Sequence, residues 1–215
     1  MIGERVGVSE APSRTPARID TLANRVTAGR LILSIGLFVF LERLTHLEAP
    51  LAGGTAAAAW VIFVITAVTD TLDGYLARRR SEASALGRVA DPVVDKVLVC
   101  GSFVFLAVAP STRAFVPAWV VALVLAREFL VTTLRGWVES KGASFPADAA
   151  GKWKMTVQCV AIGSVLAYPA APEPFVEAVG WIARGMVWMA VALTILSGGT
   201  YLWKARSFLA GGGPE

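Results

Sequence analysis

The stretch TDTLDGYLARRRSEASALGRVADPVVDK, residues 69–96, places four acidic side chains inside segments that otherwise have the composition of membrane spans. Asp70 and Asp73 are three positions apart, and Asp91 and Asp95 are four apart, so each pair lies on one face of its helix. A connection of about ten residues makes the two helices antiparallel neighbours. We therefore expect the four carboxylates to converge in one pocket near the end of a helix pair.

Converging carboxylates repel one another strongly in a low dielectric, so either some are protonated or cations neutralise them. Hard divalent cations prefer oxygen ligands of this kind, and two such ions close together form a clamp for phosphate transfer. Gly74 and Gly87 suit such a pocket because a missing side chain lets a ligand or a helix approach closely. The alternative is a solvated acidic cluster at a helix end, although ionisable groups within spans are functional candidates by default.

The composition of the whole chain indicates a membrane protein. Of its 215 residues, 55% are hydrophobic, and the mean hydropathy is +0.62, which is above the range of ordinary soluble domains. Apolar stretches of spanning length recur without a strand-type alternation. The sequence therefore predicts an all-α, polytopic integral membrane protein with six transmembrane helices and an N-terminal membrane-surface segment. The spans are expected at about 26–41, 55–77, 87–109, 115–138, 153–168 and 175–203.

Basic residues predict the orientation of these spans. They are concentrated before span one, between spans two and three, between spans four and five, and after span six. The positive-inside rule therefore places both termini and the aspartate stretch in the cytoplasm, in a cell (inner or plasma) membrane. The domain is expected at 24–206, between a cytoplasmic tail at 1–23 and a flexible tail at 207–215. The net charge of +4 is mostly this topology signal, and no aromatic-interleaved basic patch suggests nucleic-acid binding.

The spacing of the opening stretch resembles a known signature. It comprises eight fixed residues across 26 positions: Asp70-x2-Asp73-Gly74-x2-Ala77-Arg78-x8-Gly87-x3-Asp91-x3-Asp95. This pattern is similar, position for position, to that of the CDP-alcohol phosphotransferase family. The resemblance implies transfer of a phosphatidyl-type group from a CDP-linked lipid to an alcohol, with release of CMP. It also implies Mg²⁺ or Mn²⁺, two ions, held by Asp70, Asp73, Asp91 and Asp95, with Asp95 also serving as general base.

The same resemblance implies a nucleotide pocket. Asn24-x2-Thr27-x2-Arg30 opens the first span and is similar to the family's N-terminal element beside the nucleotide. The implied nucleotide-binding residues are Asn24, Thr27, Arg30, Gly74, Ala77, Arg78 and Gly87. The alternative for Arg30 is a charge that anchors the span at the membrane surface.

Two further elements bear on the acceptor alcohol. Arg127-Glu128-Phe129 with Thr132, Leu134 and Arg135, and Gly151-Lys152-x-Lys154-x-Thr156-x-Gln158, resemble the fourth and fifth spans of the family's bacterial phosphatidylglycerophosphate synthases. Thr71 and Met155 depart from that branch, at positions outside the metal set.

Arginine binds phosphate with two hydrogen bonds, so these elements predict a pocket for an acceptor phosphate. Its residues would be Arg127, Arg135, Lys152 and Lys154. The implied partners are CDP-diacylglycerol, glycerol 3-phosphate and membrane lipid, and the family resemblance implies a homodimer. Three alternatives remain open here: Arg127 pairs with Glu128 or another carboxylate, the lysines only mark the cytoplasmic side, or the acceptor is inositol phosphate or another polar alcohol.

Two other classes of protein are rivals. A divalent-cation transporter would place carboxylates at mid-depth on several spans, whereas here the acids cluster at one end of two adjacent spans. A non-catalytic lipid-binding membrane protein would not need a fixed set of four carboxylates.

Overall fold

The computed structural model describes residues 22–48, 51–80, 85–141 and 149–209, with side chains described for 27–48, 51–69, 93–141, 151 and 153–206. Six α-helices account for nearly all of this described part. They are α1 (Leu22–Thr45), α2 (Gly53–Arg80), α3 (Ala85–Val108), α4 (Ala118–Ser140), α5 (Ala149–Ala167) and α6 (Val176–Leu209). A short 3-10 turn at Tyr168–Ala170 links the last two. The predicted all-α class is therefore confirmed.

Each predicted span corresponds to one helix, with differences at the ends. One such difference precedes α4, where Pro117 is the N-cap and the helix begins at Ala118 rather than at 115. The preceding residues form turns closed by the Thr112 hydroxyl, which donates to the carbonyl of Leu106 at 2.8 Å. The tails predicted at 1–23 and 207–215 lie largely outside the described residues; α1 already begins at Leu22 and α6 continues to Leu209.

The helices pack as a closed ring. Around it, α1 contacts α2, α2 contacts α5, α5 contacts α6, α6 contacts α4, α4 contacts α3, and α3 returns to α1. α3 also contacts α5 across the middle of this ring. As a result, α3 touches both the first helix and the fourth, which is the arrangement on which the site depends.

The buried apolar side chains form two clusters. The larger one joins all six helices and includes the fully buried Leu37, Phe103 and Ile162, together with Phe63. The smaller one lies between the second half of α4 and the last part of α6, where Val131, Val138 and Tyr201 meet. Polar groups within the helices mostly return to their own backbone: the hydroxyl of Ser102, for example, donates to the carbonyl of Leu98.

Among the described residues, one helix meets the length and composition expected of a membrane span: α6, over residues 176–206. A shorter apolar stretch lies at 53–69 in α2. The six predicted helices are thus confirmed as helices, and the prediction that all six cross a membrane remains a prediction.

Gly101 lies at a close contact between α3 and α1, so adding a side chain there should destabilise the protein. A β-carbon placed there would lie 2.4 Å from the ring tip of Phe38 on α1, and that ring is held against Phe105 at 5.5 Å. Gly101→Ala should therefore lower the free energy of unfolding by about 1–3 kcal/mol, as overpacking does elsewhere. Thermal unfolding of the purified protein in detergent measures it.

Gly36→Ala is the matched control, since a β-carbon at Gly36 meets nothing within 4 Å of the described atoms. It should leave the unfolding temperature unchanged or slightly raised, because alanine favours helix more than glycine does. Equal effects of the two substitutions would contradict the α1–α3 contact.

Candidate active site

The aspartate stretch lies on two helices, as its spacing predicts. Asp70 and Asp73 are in the last part of α2, and Asp91 and Asp95 are in the first half of α3. The side chains of Asp70, Asp73 and Asp91 lie outside the described part, so their convergence on a metal pocket stays a prediction. Among the described residues, no group of three His, Cys, Asp or Glu side chains is placed to hold a metal ion.

The side chains of only some of the predicted nucleotide-binding residues are described. Asn24, Gly74, Ala77, Arg78 and Gly87 lie on α1, α2 and α3, and nothing about their side chains is described. Thr27 and Arg30 are described, and both are buried on α1. Arg30 is thus not the surface anchor of the alternative interpretation.

Asp95 and Arg30 form an ion pair between α3 and α1. The Nη1 of Arg30 donates to Oδ1 of Asp95 at 2.5 Å, and the two side chains are 4% and 24% exposed, respectively. A buried guanidinium requires such an anion, because an uncompensated charge in a low dielectric is expensive. The structure therefore joins a predicted nucleotide residue directly to the predicted base.

The next residue, Lys96, faces the other neighbour of α3. Its ammonium donates to the hydroxyl of Thr132 on α4 at 2.5 Å. The Thr132 hydroxyl in turn donates to the backbone carbonyl of Glu128, one turn earlier, at 2.7 Å. Consecutive residues of α3 thus connect the aspartate side of the bundle with α4.

Glu128 is the centre of a charged cluster among α4, α5 and α6. Its carboxylate accepts from Nη1 of Arg127 at 3.2 Å and forms a very close ion pair with the ammonium of Lys154. Arg127 and Lys154 are both buried. The pairing of Arg127 with Glu128 that the sequence left open is present, and it brings two predicted phosphate-binding residues to one carboxylate.

Two residues of α6 hold the arginines from the other side. The Nε of Arg127 donates to the hydroxyl of Ser197 at 3.0 Å, and its guanidinium carbon lies 5.5 Å from the centre of the Tyr201 ring. Arg135 Nη2 donates to the Tyr201 hydroxyl at 2.8 Å, and its guanidinium lies 5.8 Å from the same ring. Cation–π contacts of this kind orient a guanidinium while leaving its edge open to an anion.

Close approach around Arg127 depends on glycine. A β-carbon on Gly198 of α6 would lie 3.4 Å from Cγ of Arg127, and one on Gly151 of α5 would lie 3.8 Å from its Nη2. The arginine side chain therefore runs between two helices at positions without side chains. Of the four predicted phosphate-binding residues, Arg127, Arg135 and Lys154 meet around Glu128 and Tyr201, whereas the side chain of Lys152 is outside the described part.

Ser197 and Tyr201 were missed from the sequence because the last helix carries no recognisable motif. Their spacing of four positions was a usable signal, since it places a hydroxyl and a phenol on one face of an otherwise apolar helix. Polar groups that share a face of an apolar span commonly point into the bundle.

Removal of the Tyr201 hydroxyl tests the contact between α6 and Arg135. Tyr201→Phe keeps the ring beside both arginines but deprives Arg135 Nη2 of its acceptor, so the free energy of unfolding should fall by about 1 kcal/mol. Thermal unfolding in detergent measures it. Tyr168→Phe is the control, because the Tyr168 hydroxyl makes no hydrogen bond to any described residue and its loss should have no effect. Identical unfolding temperatures for wild type and Tyr201→Phe would contradict the contact.

Comparison with known proteins gives a consistent result. Residues 20–196 match the family described as CDP-alcohol phosphatidyltransferase. A probable phosphatidylglycerophosphate synthase of Mycobacterium tuberculosis strain H37Rv is 36% identical over 91% of this chain and 86% of its own. Two proteins named CDP-diacylglycerol–glycerol-3-phosphate 3-phosphatidyltransferase are also similar. The one from Shigella flexneri is 38% identical over 71% of this chain and 80% of its own, and the one from Bacillus subtilis is 34% identical over 68% and 72%.

Proposed function

This chain belongs to the CDP-alcohol phosphatidyltransferase family, and we propose that it transfers the phosphatidyl group of CDP-diacylglycerol to glycerol 3-phosphate. The products are phosphatidylglycerophosphate and CMP, so the reaction belongs to phospholipid biosynthesis. Support comes from relatives whose names state this reaction, at 34–38% identity, and from the cationic cluster of α4, α5 and α6.

The excess positive charge around Glu128 is the observation that favours an acceptor alcohol with a phosphate group. Arg127, Arg135 and Lys154 supply three positive charges around one described carboxylate, that of Glu128, which leaves a formal excess of two. The buried Nε of Arg135 has no hydrogen-bond partner among the described residues. A phosphate dianion would balance this excess and satisfy that donor, whereas an uncharged acceptor such as serine would not.

The aspartate stretch would hold the metal ions. Family members generally use divalent metals, and four carboxylates on two helix faces are the oxygen donors that Mg²⁺ and Mn²⁺ prefer. Asp70, Asp73, Asp91 and Asp95 would bind two such ions, which supply electrostatic stabilisation of the diphosphate as CMP leaves.

The chain's own residues would carry out the remaining tasks. Asn24, Thr27, Arg30, Gly74, Ala77, Arg78 and Gly87 would surround the nucleotide. Asp95 would accept the proton of the acceptor hydroxyl, whose oxygen then forms the new bond to the phosphorus next to the lipid. Arg30, which forms an ion pair with Asp95, would hold that carboxylate in place.

Exposed apolar side chains support a multi-pass membrane location. Every helix presents large hydrophobic residues outward, such as Ile32 on α1, Ile65 on α2 and Val104 on α3. Exposed tryptophans lie near both ends of α4: Trp119 and Trp137 are about 27 Å apart at ~1.5 Å per residue, close to the ~30 Å thickness of a bilayer core. In this arrangement the active site and both termini face the cytoplasm, and small residues of α6 would support a homodimer.

One assay tests the function. Purified protein in detergent receives CDP-diacylglycerol and Mg²⁺ or Mn²⁺, with glycerol 3-phosphate, inositol phosphate or serine, and CMP release is measured. Release with glycerol 3-phosphate alone is expected. CMP release with inositol phosphate instead would favour that acceptor. No CMP release with any of the three acceptors would contradict the proposed transferase activity.

A further inference from the structure

Lys96 is a cationic residue with no role in the predicted site or in the proposed function. It lies on α3 directly after Asp95, at about 3.8 Å between α-carbons. Asp95 contacts Arg30 on α1, whereas Lys96 contacts Thr132 on α4. Through these two adjacent residues, α3 connects the predicted base to the helix that carries Arg127 and Arg135.

The described partner of Lys96 is uncharged, and the hydrogen bond between them is exposed. Thr132 is a neutral partner whose own proton goes to the carbonyl of Glu128, and no described carboxylate forms an ion pair with Lys96. The positions three and four residues away along α3 are Pro92, Val93, Val99 and Cys100, none of them acidic. An ammonium has three donors, so further hydrogen bonds can be made.

The ammonium also lies near the charged cluster. Thr132, which accepts its hydrogen bond, lies one helical turn from Glu128, and Glu128 is the carboxylate that pairs with Lys154. Lys96 and Lys154 therefore approach the same region from α3 and α5. In the proposed function the acceptor hydroxyl reaches Asp95 and its phosphate reaches the arginines, and Lys96 is the neighbour of Asp95 that contacts the helix carrying those arginines.

We infer that the Lys96 ammonium binds the phosphate of the acceptor, linking the base Asp95 to the cluster of Arg127, Arg135 and Lys154; this rests on the proposed function. The phosphate would give the Lys96 ammonium an anionic partner in addition to the neutral hydroxyl of Thr132. The residue would thus select acceptors that carry a phosphate close to the attacking hydroxyl.

Steady-state kinetics with both substrates test the inference. Lys96→Met should raise the KM for glycerol 3-phosphate about tenfold or more and leave the KM for CDP-diacylglycerol within about twofold of wild type. Lys96→Arg should restore most of the acceptor affinity, since it keeps the charge. Lys141→Met, the same substitution at the exposed end of α4, should match wild type.

Binding of inorganic phosphate, measured by calorimetry without turnover, gives a second readout. Phosphate should bind wild type in competition with glycerol 3-phosphate and bind Lys96→Met about tenfold more weakly. An unchanged acceptor KM in Lys96→Met, equal rises in both KM values, or unchanged phosphate binding would overturn the inference. If Lys96→Met does not fold, Lys96→Gln takes its place with the same criteria. Absence of CMP release by wild type with every acceptor would instead overturn the proposed function, and the inference with it.

Discussion

Asp95→Asn should reduce CMP release by roughly two to four orders of magnitude while the protein stays folded. The substitution keeps the shape of the side chain, and the amide oxygen can still accept the hydrogen bond from Arg30 that the carboxylate accepts at 2.5 Å. What it removes is the negative charge, and with it both the ability to take a proton from the acceptor hydroxyl and the charge that this carboxylate would offer a metal ion. The turnover number should therefore fall.

Two further variants separate loss of the base from loss of the ion pair. Arg30→Gln removes the cationic partner of Asp95 and so breaks the same ion pair. Because Arg30 is a proposed nucleotide-binding residue, this variant should mainly raise the KM for CDP-diacylglycerol. Glu139→Gln, an exposed carboxylate in the last turn of α4, should behave as wild type. A turnover number for Asp95→Asn within about tenfold of wild type would show that another group is the base.

The helices could be predicted from the sequence because each apolar run is long and bounded by proline, glycine or charge. The start of α4 was misplaced since Phe115 and Val116 are apolar and buried, yet they belong to the turn before Pro117. Hydrophobicity reports burial, and a buried turn has the same composition as a helix. The order of the helices around the ring leaves no periodic signal in the sequence, because it is set by contacts between helices that are distant along the chain.

Within the candidate site, the residues with fixed local spacing were predictable and the contacts between helices were not. Arg127, Arg135 and Lys154 were identified from short elements of α4 and α5, but nothing in those elements indicates that Ser197 and Tyr201 of α6 hold them. Likewise, the pairing of Arg30 with Asp95 joins residues 65 positions apart. Such pairs depend on how the helices are arranged, which local patterns do not encode.

Glu128→Gln should lower the free energy of unfolding by about 3 kcal/mol, because it leaves Arg127 and Lys154 buried without the carboxylate they share. For a chain of this length, that corresponds to a fall in unfolding temperature of roughly 6–12 °C. Thermal unfolding in detergent measures the change. Glu42→Gln is the control, since Glu42 is exposed and pairs only with His46 among the described side chains.

Pairing this change with Lys154→Met distinguishes a structural ion pair from a substrate site. The double variant removes the uncompensated charge of Lys154 but leaves Arg127 without its carboxylate partner, so it should recover only part of the lost stability. It should nevertheless keep a raised KM for glycerol 3-phosphate, because the phosphate loses a cation that no stability gain restores. Recovery of both properties would mean that Lys154 only balances Glu128; recovery of neither would mean that the cluster is coupled to the fold through Arg127.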